Sequence, residues 1–140
     1  MRIFIYSGIP GAGKSTLIAQ RHVGATVCSA DHYTDSDDSM SVLRAEAACL
    51  RKFVEAVQAQ VPEVVVDNTN CSAYEIAPYA ALALAYGYAL KVLTLRADPL
   101  EVAERNVHGV RFAIVCGMAE RLAKRELPPW WPQEDVVVHA

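Results

Sequence analysis

Short apolar runs alternate along the chain with longer segments whose apolar residues recur at helical spacing. Each short run is closed by glycine, proline or polar residues, which is the pattern of buried strands. The predicted strands are RIFIYS (2–7), ATVCSA (25–30), EVVVDNTN (63–70, ending in a polar turn), ALKVLTLRADP (89–99, closed by Asp-Pro) and VVVH (136–139). The stretch LPPWWPQED before the last run is too rich in proline to predict regular structure.

The longer segments predict helices. The clearest is Val42–Gln60, where Leu43, Leu50 and Phe53 belong to an apolar stripe opposite a charged side. Ser41 is the predicted N-cap of this helix. The other predicted helices run from the glycine loop to about Arg21, from about Tyr74 to Tyr86, from Pro99 to about Val107, and from Phe112 to Lys124.

Strands that alternate with helices predict a parallel sheet with right-handed crossovers, in a three-layer α/β domain. We expect four to five strands. No linker, repeat or shift in composition divides the sequence, so residues 1–140 are interpreted as a single domain.

Composition and charge narrow the possible functions. Hydrophobic residues make up 53% of the chain and charged residues 21%, which is typical of a globular and not of a disordered protein. The formal net charge of −3 argues against a protein that coats nucleic-acid duplexes, because such proteins gain affinity from clustered positive charge. Any contact with nucleic acid is therefore expected at a strand end or a short segment.

The cysteines and the apolar segments bear on the compartment. The four cysteines are spaced too widely for a CxxC metal pair, and we expect buried free thiols. The sequence begins directly on a predicted strand, without the pattern of a signal peptide. The most apolar segment, IAPYAALALAYGYAL (76–90), is too short for a membrane span and contains Pro78 and Gly87. The expectation is a cytoplasmic protein without a membrane partner.

Residues 8–15, GIPGAGKS, match the phosphate-binding pattern G-x-x-x-x-G-K-[ST] at every fixed position, between a predicted strand and a predicted helix. The glycines allow consecutive backbone N–H groups to face one anion, and the helix adds its positive N-terminus. Lys14 is expected to reach the β- and γ-phosphates of ATP, and the Ser15 hydroxyl to bind Mg²⁺. The predicted nucleotide-binding residues are Gly11, Ala12, Gly13, Lys14, Ser15 and Thr16. The fold prediction is therefore a P-loop NTPase fold with a small helical lid.

Asp67 ends the apolar strand VVVD and is predicted to organise the magnesium shell together with Ser15. The alternative is that it only caps the following turn. Asn68, Thr69 and Asn70 come next, at the carboxyl edge of the sheet, where ligands bind in open α/β sheets. They are predicted substrate contacts.

A kinase also needs a base for the acceptor hydroxyl. Asp31 follows the second strand in CSADHY, and we predict that it faces the P-loop and accepts that proton. The alternatives are an N-cap or a water-mediated magnesium contact. His32 is the rival base, but its side chain is expected to point away from that of Asp31.

Cations over the transferred phosphate are predicted in RNVHGVR (105–111). Arg105 and Arg111 flank Gly109, a suitable hinge for a closing lid, and guanidinium donors match phosphate oxygens. The alternative is that both are solvated surface residues. Arg121, Lys124 and Arg125 are interpreted as the solvated face of the last helix.

The segments GIPGAGKST, CSADHY, VVVDNTN and RNVHGV, in this order, resemble the polynucleotide 5′-hydroxyl kinase family and its stand-alone AAA_33-type relatives. The resemblance covers about residues 2–121. It implies transfer of the γ-phosphate of ATP to the 5′-OH of a nucleic-acid end. By this resemblance Lys14 and Ser15 hold phosphate and magnesium, Asp31 is the general base, and Arg105 belongs to the lid.

Two positions depart from the family. Thr34 stands where the best-known members have an arginine for the 3′-phosphate of the acceptor, and Arg111 stands where stand-alone relatives commonly have proline. No D-x-D-x-T motif of a 3′-phosphatase is present in the sequence. Trp130 and Trp131 are predicted either to stack on a base or to pack the tail onto the domain.

The sequence therefore predicts an ATP- and Mg²⁺-dependent kinase whose acceptor is the 5′-OH of a DNA or RNA end. Two alternatives stay open. One is a kinase for a small hydroxyl compound such as a nucleoside or sugar, which Thr34 and the negative net charge favour. The other is an ATP-binding module without catalysis.

Overall fold

A computed structural model of the protein describes residues 1–33, 39–103 and 110–137. Five strands form one sheet in the order β2-β3-β1-β4-β5, and every pair of neighbours is parallel. The strands are β1 (Arg2–Ser7), β2 (Thr26–Cys28), β3 (Glu63–Asp67), β4 (Ala89–Leu95) and β5 (Gln133–Val136). The predicted parallel sheet is confirmed.

Helices connect the strands within the described residues. They are α1 (Lys14–Arg21), α2 (Ser39–Gln58), α3 (Ala73–Ala85), the single turn α4 (Pro99–Val102) and α5 (Phe112–Lys124), with a 3₁₀ turn at Ala30–His32. Because all strands are parallel, the chain returns from the carboxyl end of one strand to the amino end of the next across one face of the sheet.

Side chains that alternate along the central strands divide the core into two layers. Ile3 and Ile5 of β1 are fully buried in the cluster that includes Phe53 of α2. Tyr6 points the other way, into the cluster that includes Ile18 of α1 and Val115 of α5. A sheet with a hydrophobic layer on each face is the predicted three-layer α/β architecture.

Two helices begin earlier than predicted. α2 starts at Ser39, so the prediction of Ser41 as its N-cap is wrong and Ser41 lies within the first turn. Polar residues in a first turn do not interrupt a helix, and the apolar spacing cannot locate its first residues. α3 starts at Ala73 and is capped by Ser72. The Ser72 hydroxyl accepts a hydrogen bond from the Glu75 backbone N–H, and the Glu75 carboxylate accepts one from the Ser72 backbone N–H.

The last strand lies three residues earlier than predicted. β5 is Gln133–Val136, and its residues pair with Val92–Leu95 of β4, which decides its position. As an edge strand it carries exposed polar side chains, so it lacks the apolar pattern that marked the other strands. The predicted helix from Pro99 to Val107 is described as far as the α4 turn, since residues 104–109 lie outside the described part of the chain.

A buried hydrogen-bond chain fixes the end of α1 to the sheet. His22, directly after α1, has its Nε2 2.7 Å from the Tyr6 hydroxyl and its Nδ1 2.7 Å from the Glu63 carboxylate. Both ring nitrogens of a buried histidine are thus satisfied. This hydrogen-bond chain connects α1 to β1 and β3, the two strands whose carboxyl ends lead to the P-loop and to Asp67.

Candidate active site

The P-loop joins β1 to α1 at the carboxyl edge of the sheet. Gly11 and Gly13 have φ values of 88° and 99°, which only glycine adopts without strain. Gly8 is required for a different reason, because a Cβ there would lie 3.0 Å from the carbonyl oxygen of Leu95. Gly8, Gly11 and Gly13 therefore occupy loop positions where a side chain would be strained or crowded.

Lys14 folds over this loop. Its ammonium donates hydrogen bonds to the carbonyl oxygens of Gly8 at 2.8 Å and Ile9 at 3.3 Å. Burial lowers the pKa of Lys14, and the carboxylates of Asp67 and Asp31 oppose that shift. The P-loop lysine, the predicted base and the predicted magnesium residue thus share one electrostatic environment.

The two predicted magnesium residues are in direct contact. The Ser15 hydroxyl donates a hydrogen bond to Asp67 Oδ2 at 2.9 Å, although 52 residues separate them in sequence. Asp67 ends β3 opposite Tyr6 of β1, and it is 9% exposed. Hydroxyl and carboxylate oxygens are the donors that Mg²⁺ prefers, so this pair fits the predicted metal.

Within the described residues no group of three or more His, Cys, Asp or Glu side chains is placed to hold a metal ion. This agrees with the donor set of a P-loop site, where magnesium uses one or two protein oxygens together with phosphates and water. The metal fit therefore rests on the Ser15–Asp67 pair.

Asp31 lies in the 3₁₀ turn that follows β2. Its backbone N–H is held by the Ser29 hydroxyl at 3.3 Å, and its exposed carboxylate lines the cleft above the P-loop. His32, the rival base, is not among the residues that line this cleft, and its ring lies against Tyr33. The geometry thus places Asp31, and not His32, beside the phosphate loop.

The three residues after Asp67 line the cleft, and each of them also takes part in a hydrogen bond within the protein. Asn68 accepts a hydrogen bond from the Ala30 backbone at 2.9 Å, which ties the turn containing Asp31 to the end of β3. Asn70 is 2% exposed at a φ of 46°, and its amide donates to the Tyr6 carbonyl at 2.8 Å. Thr69 accepts the Gly8 backbone N–H at 3.0 Å through its carbonyl oxygen. Their predicted contacts to substrate stay predictions.

Arg111 precedes the first residue of α5, is exposed, and lines the cleft. The other predicted lid cation, Arg105, and the hinge Gly109 lie outside the described residues. Arg121, interpreted as part of the solvated face of α5, is exposed and also lines the cleft. The signal was present in the sequence, because Arg111 and Arg121 continue the helical spacing of two further lining residues, Ile114 and Met118.

Arg125, also interpreted as a solvated residue, is half-buried and makes hydrogen bonds within the protein, although it is not among the residues that line the cleft. Its guanidinium donates to the hydroxyls of Ser7 and Thr94 and to the carbonyl of Asn70. Burial, assisted by the nearby Arg96, lowers the pKa of Arg125. This arginine therefore connects β1, β4 and the turn after β3, directly behind the P-loop.

The P-loop, Asp31, residues 67–70, Arg111 and Arg121 border one cleft of about 1410 Å³. Its floor is the P-loop with the ends of β2 and β3, and its walls are α2 and α3 on one side and α5 on the other. Trp130 and Trp131 are not among the residues that line it. Trp131 is 8% exposed in the core cluster, and Trp130 is 72% exposed. Of the two predicted roles, Trp131 has the packing role.

No helix within the described ranges is both long and apolar enough to cross a bilayer.

Comparison with known proteins gives one family and several related folds. A profile of the AAA domain family AAA_33 matches residues 3–109. Human NEDD4-binding protein 2 is 30% identical over 132 aligned residues, which cover 84% of this chain and 7% of that protein. The chain thus spans a small part of the length of this relative.

Two solved structures show the likeness of the fold. A chain of the Pnkp1/Rnl/Hen1 RNA repair complex has a TM-score of 0.72 at 15% identity, over 88% of this chain and 44% of that one. A gluconokinase from Sinorhizobium meliloti 1021 has a TM-score of 0.62 at 18% identity, over 99% of this chain and 83% of that one. At these identities the likeness concerns the fold alone.

Proposed function

The chain belongs to the AAA_33 family of AAA domains, and we propose that it is an ATP-dependent kinase that transfers the γ-phosphate to a hydroxyl group. The observation that carries the proposal is the joint position of Lys14, the Ser15–Asp67 pair and Asp31 around one cleft. The carboxylate of Asp31 beside the phosphate loop favours a kinase over a module that only binds ATP, because a kinase needs a base for the acceptor hydroxyl.

In the proposed reaction the P-loop backbone and Lys14 hold the phosphates of ATP. Magnesium, held by Ser15 and Asp67, would neutralise charge on the phosphate oxygens. The acceptor oxygen attacks the γ-phosphorus in line, its proton passes to the Asp31 carboxylate, and the bond to the β-phosphate oxygen breaks to release ADP. Arg111, with Arg105, stabilises the charge that develops on the transferred group.

Two acceptor classes fit this chemistry. The order of the four sequence motifs favours the 5′-OH of a DNA or RNA end. The second candidate is a small hydroxyl compound, such as a nucleoside or sugar, and the charge of the cleft wall beside Asp31 favours it: Glu46 of α2 and Glu75 of α3 line that wall.

Transfer of radiolabelled γ-phosphate tests the proposal, with 5′-OH oligonucleotides, nucleosides and sugars as acceptors. We expect Lys14→Ala to abolish labelling and Asp31→Asn to lower kcat by roughly 10² to 10⁴, the usual contribution of a general base. His32→Gln is the matched control, since it changes the neighbouring residue outside the cleft lining, and it should keep wild-type activity.

The outcomes separate the alternatives. If Asp31→Asn keeps full activity while His32→Gln loses it, the base is assigned wrongly. If calorimetry detects ATP binding but no acceptor is labelled, the module without catalysis is supported and the kinase proposal fails.

A further inference from the structure

The cleft has walls of opposite charge. Among the described residues that line it, the cations are Lys14 on the P-loop and Arg111 and Arg121 on the α5 side. The opposite wall, formed by α2 and α3, contributes Glu46 and Glu75 and no lysine or arginine. The positive wall suits the anionic phosphates of ATP. The negative wall faces the part of the cleft that ATP would leave open.

That remaining space is where an acceptor has to bind. Asp31 can take a proton only from a hydroxyl within hydrogen-bond reach, and α2 and α3 form the wall beside Asp31 and Asn68. We call the cleft-lining residues of α2 and α3 the acceptor wall. This wall would lie next to the part of the acceptor that carries the reacting hydroxyl.

The two carboxylates of the acceptor wall act on each other. The pKa of Glu46 is raised, first by partial burial and then by the charge of Glu75. Glu75 is fixed by its capping bond to the Ser72 backbone, at 3.2 Å. Glu46 is exposed to the cleft, and within the described part of the chain no hydrogen bond or ion pair is recorded for its side chain.

The chain that leads into this wall adds no positive charge except a histidine. Residues 30–43, which join β2 to the first turns of α2, contain four aspartates and no lysine or arginine. Arg44 follows in sequence, but it is not among the residues that line the cleft. Among the described residues of this wall, a phosphate group on the acceptor would therefore find no cationic partner.

The same wall offers an apolar surface. Leu43 of α2 is 58% exposed and Tyr74 of α3 is 87% exposed, and both line the cleft. An exposed aromatic ring beside aliphatic side chains suits a ligand with a flat or apolar part, while a few polar groups fix its orientation.

From this arrangement we infer that the acceptor wall selects a small hydroxyl compound that is neutral or positively charged next to its reacting hydroxyl, and rejects one with a phosphate there. The inference depends on the proposed kinase function and decides between its two acceptor classes. A nucleic-acid end carries a phosphate one sugar away from its 5′-OH, so Glu46 and Glu75 would repel it.

The test varies one charge on a fixed scaffold. The nucleoside series is adenosine, 3′-amino-3′-deoxyadenosine and adenosine 3′-monophosphate, which differ at the 3′ position, and the hexose series is glucose, glucosamine and glucose 2-phosphate, which differ at carbon 2. Phosphate transfer is measured with ATP. Binding of each compound is measured by calorimetry on the full chain loaded with a non-hydrolysable ATP analogue. We expect the neutral or amino member of at least one series to exceed its phosphorylated member by at least tenfold in kcat/KM and in affinity.

Variants of Glu46 report on the wall itself. Glu46→Gln should reduce the preference against the phosphorylated acceptor, and Glu46→Lys should reverse it. Glu55→Lys is the matched control, because Glu55 is an exposed glutamate on the same helix that does not line the cleft, and its preference should stay that of the wild type.

Each outcome decides one claim. If a phosphorylated acceptor or a 5′-OH oligonucleotide is preferred, or if none of the six compounds binds, the inference is overturned. If neutral or amino acceptors bind tenfold more tightly but no phosphate is transferred, the acceptor preference stands and the kinase function fails.

Discussion

The Ser15 hydroxyl and the Asp67 carboxylate are 2.9 Å apart, one at the start of α1 and the other at the end of β3. Parallel pairing of β1 with β3 brings them together, because it places Tyr6 opposite Asp67 and so sets the P-loop beside the end of β3. Two motifs that are far apart in sequence thus form one oxygen-donor pair.

This pair predicts a specific magnesium dependence. Asp67→Asn keeps the shape and a hydrogen-bond acceptor for Ser15 but removes the charge. We expect the Mg²⁺ concentration for half-maximal phosphate transfer to rise roughly 10- to 100-fold, as when the partner of a metal ligand is lost. Initial rates over a magnesium titration measure this.

An exposed acid outside the cleft is the control for Asp67→Asn. Glu101→Gln, on α4, should leave the magnesium titration unchanged. A wild-type magnesium requirement in Asp67→Asn would show that Asp67 only closes the turn after β3.

Arg121 predicts an effect on nucleotide binding. It lines the cleft from the last turns of α5, and its charge reaches the Cys71 thiol on the turn after β3, whose pKa is raised by burial and lowered in part by Arg121. We expect Arg121→Ala to lower kcat/KM for ATP roughly 10- to 100-fold, since a hydrogen bond to a charged group contributes about 1.5–3 kcal/mol. Steady-state kinetics at varied ATP measure the change.

Lys124 tests whether the effect belongs to the cleft. It is an exposed cation on the same helix that does not line the cleft, so Lys124→Ala should behave as wild type. Equal losses in Arg121→Ala and Lys124→Ala would indicate a general effect of charge and contradict a phosphate contact.

The sequence predicted the parts of the site that depend on local pattern. The P-loop and the ends of β2 and β3 follow from glycine spacing and from apolar runs that stop at Asp31 and Asp67. Arg125 was misread because its task depends on the hydroxyls of Ser7 and Thr94, which lie 118 and 31 residues away. Such contacts exist only once the strands are in order, and no local spacing records them.

The paired tryptophans predict a contrast in stability. Trp131 is in the core cluster, so Trp131→Ala should lower the free energy of unfolding by about 3–5 kcal/mol. Trp130 is 72% exposed, and Trp130→Ala should change it by less than about 0.5 kcal/mol. Urea denaturation of both variants measures the difference. A stable Trp131→Ala protein with a raised KM for acceptor would instead support the stacking role.

Cys28 predicts a pH-dependent reactivity. Burial, together with the nearby Cys49, raises the pKa of Cys28 to about 12, although Lys52 opposes the shift. The thiolate is the reactive form, so only about one Cys28 in 10⁴ is reactive at pH 8. Its alkylation by iodoacetamide should rise about tenfold with each pH unit and stay slow up to pH 9.

Cys116, which is only partly buried on α5, is the internal comparison, and mass spectrometry after timed labelling should find it modified first. Rapid labelling of Cys28 at pH 8 in the folded protein would mean that β2 and α2 do not enclose this thiol.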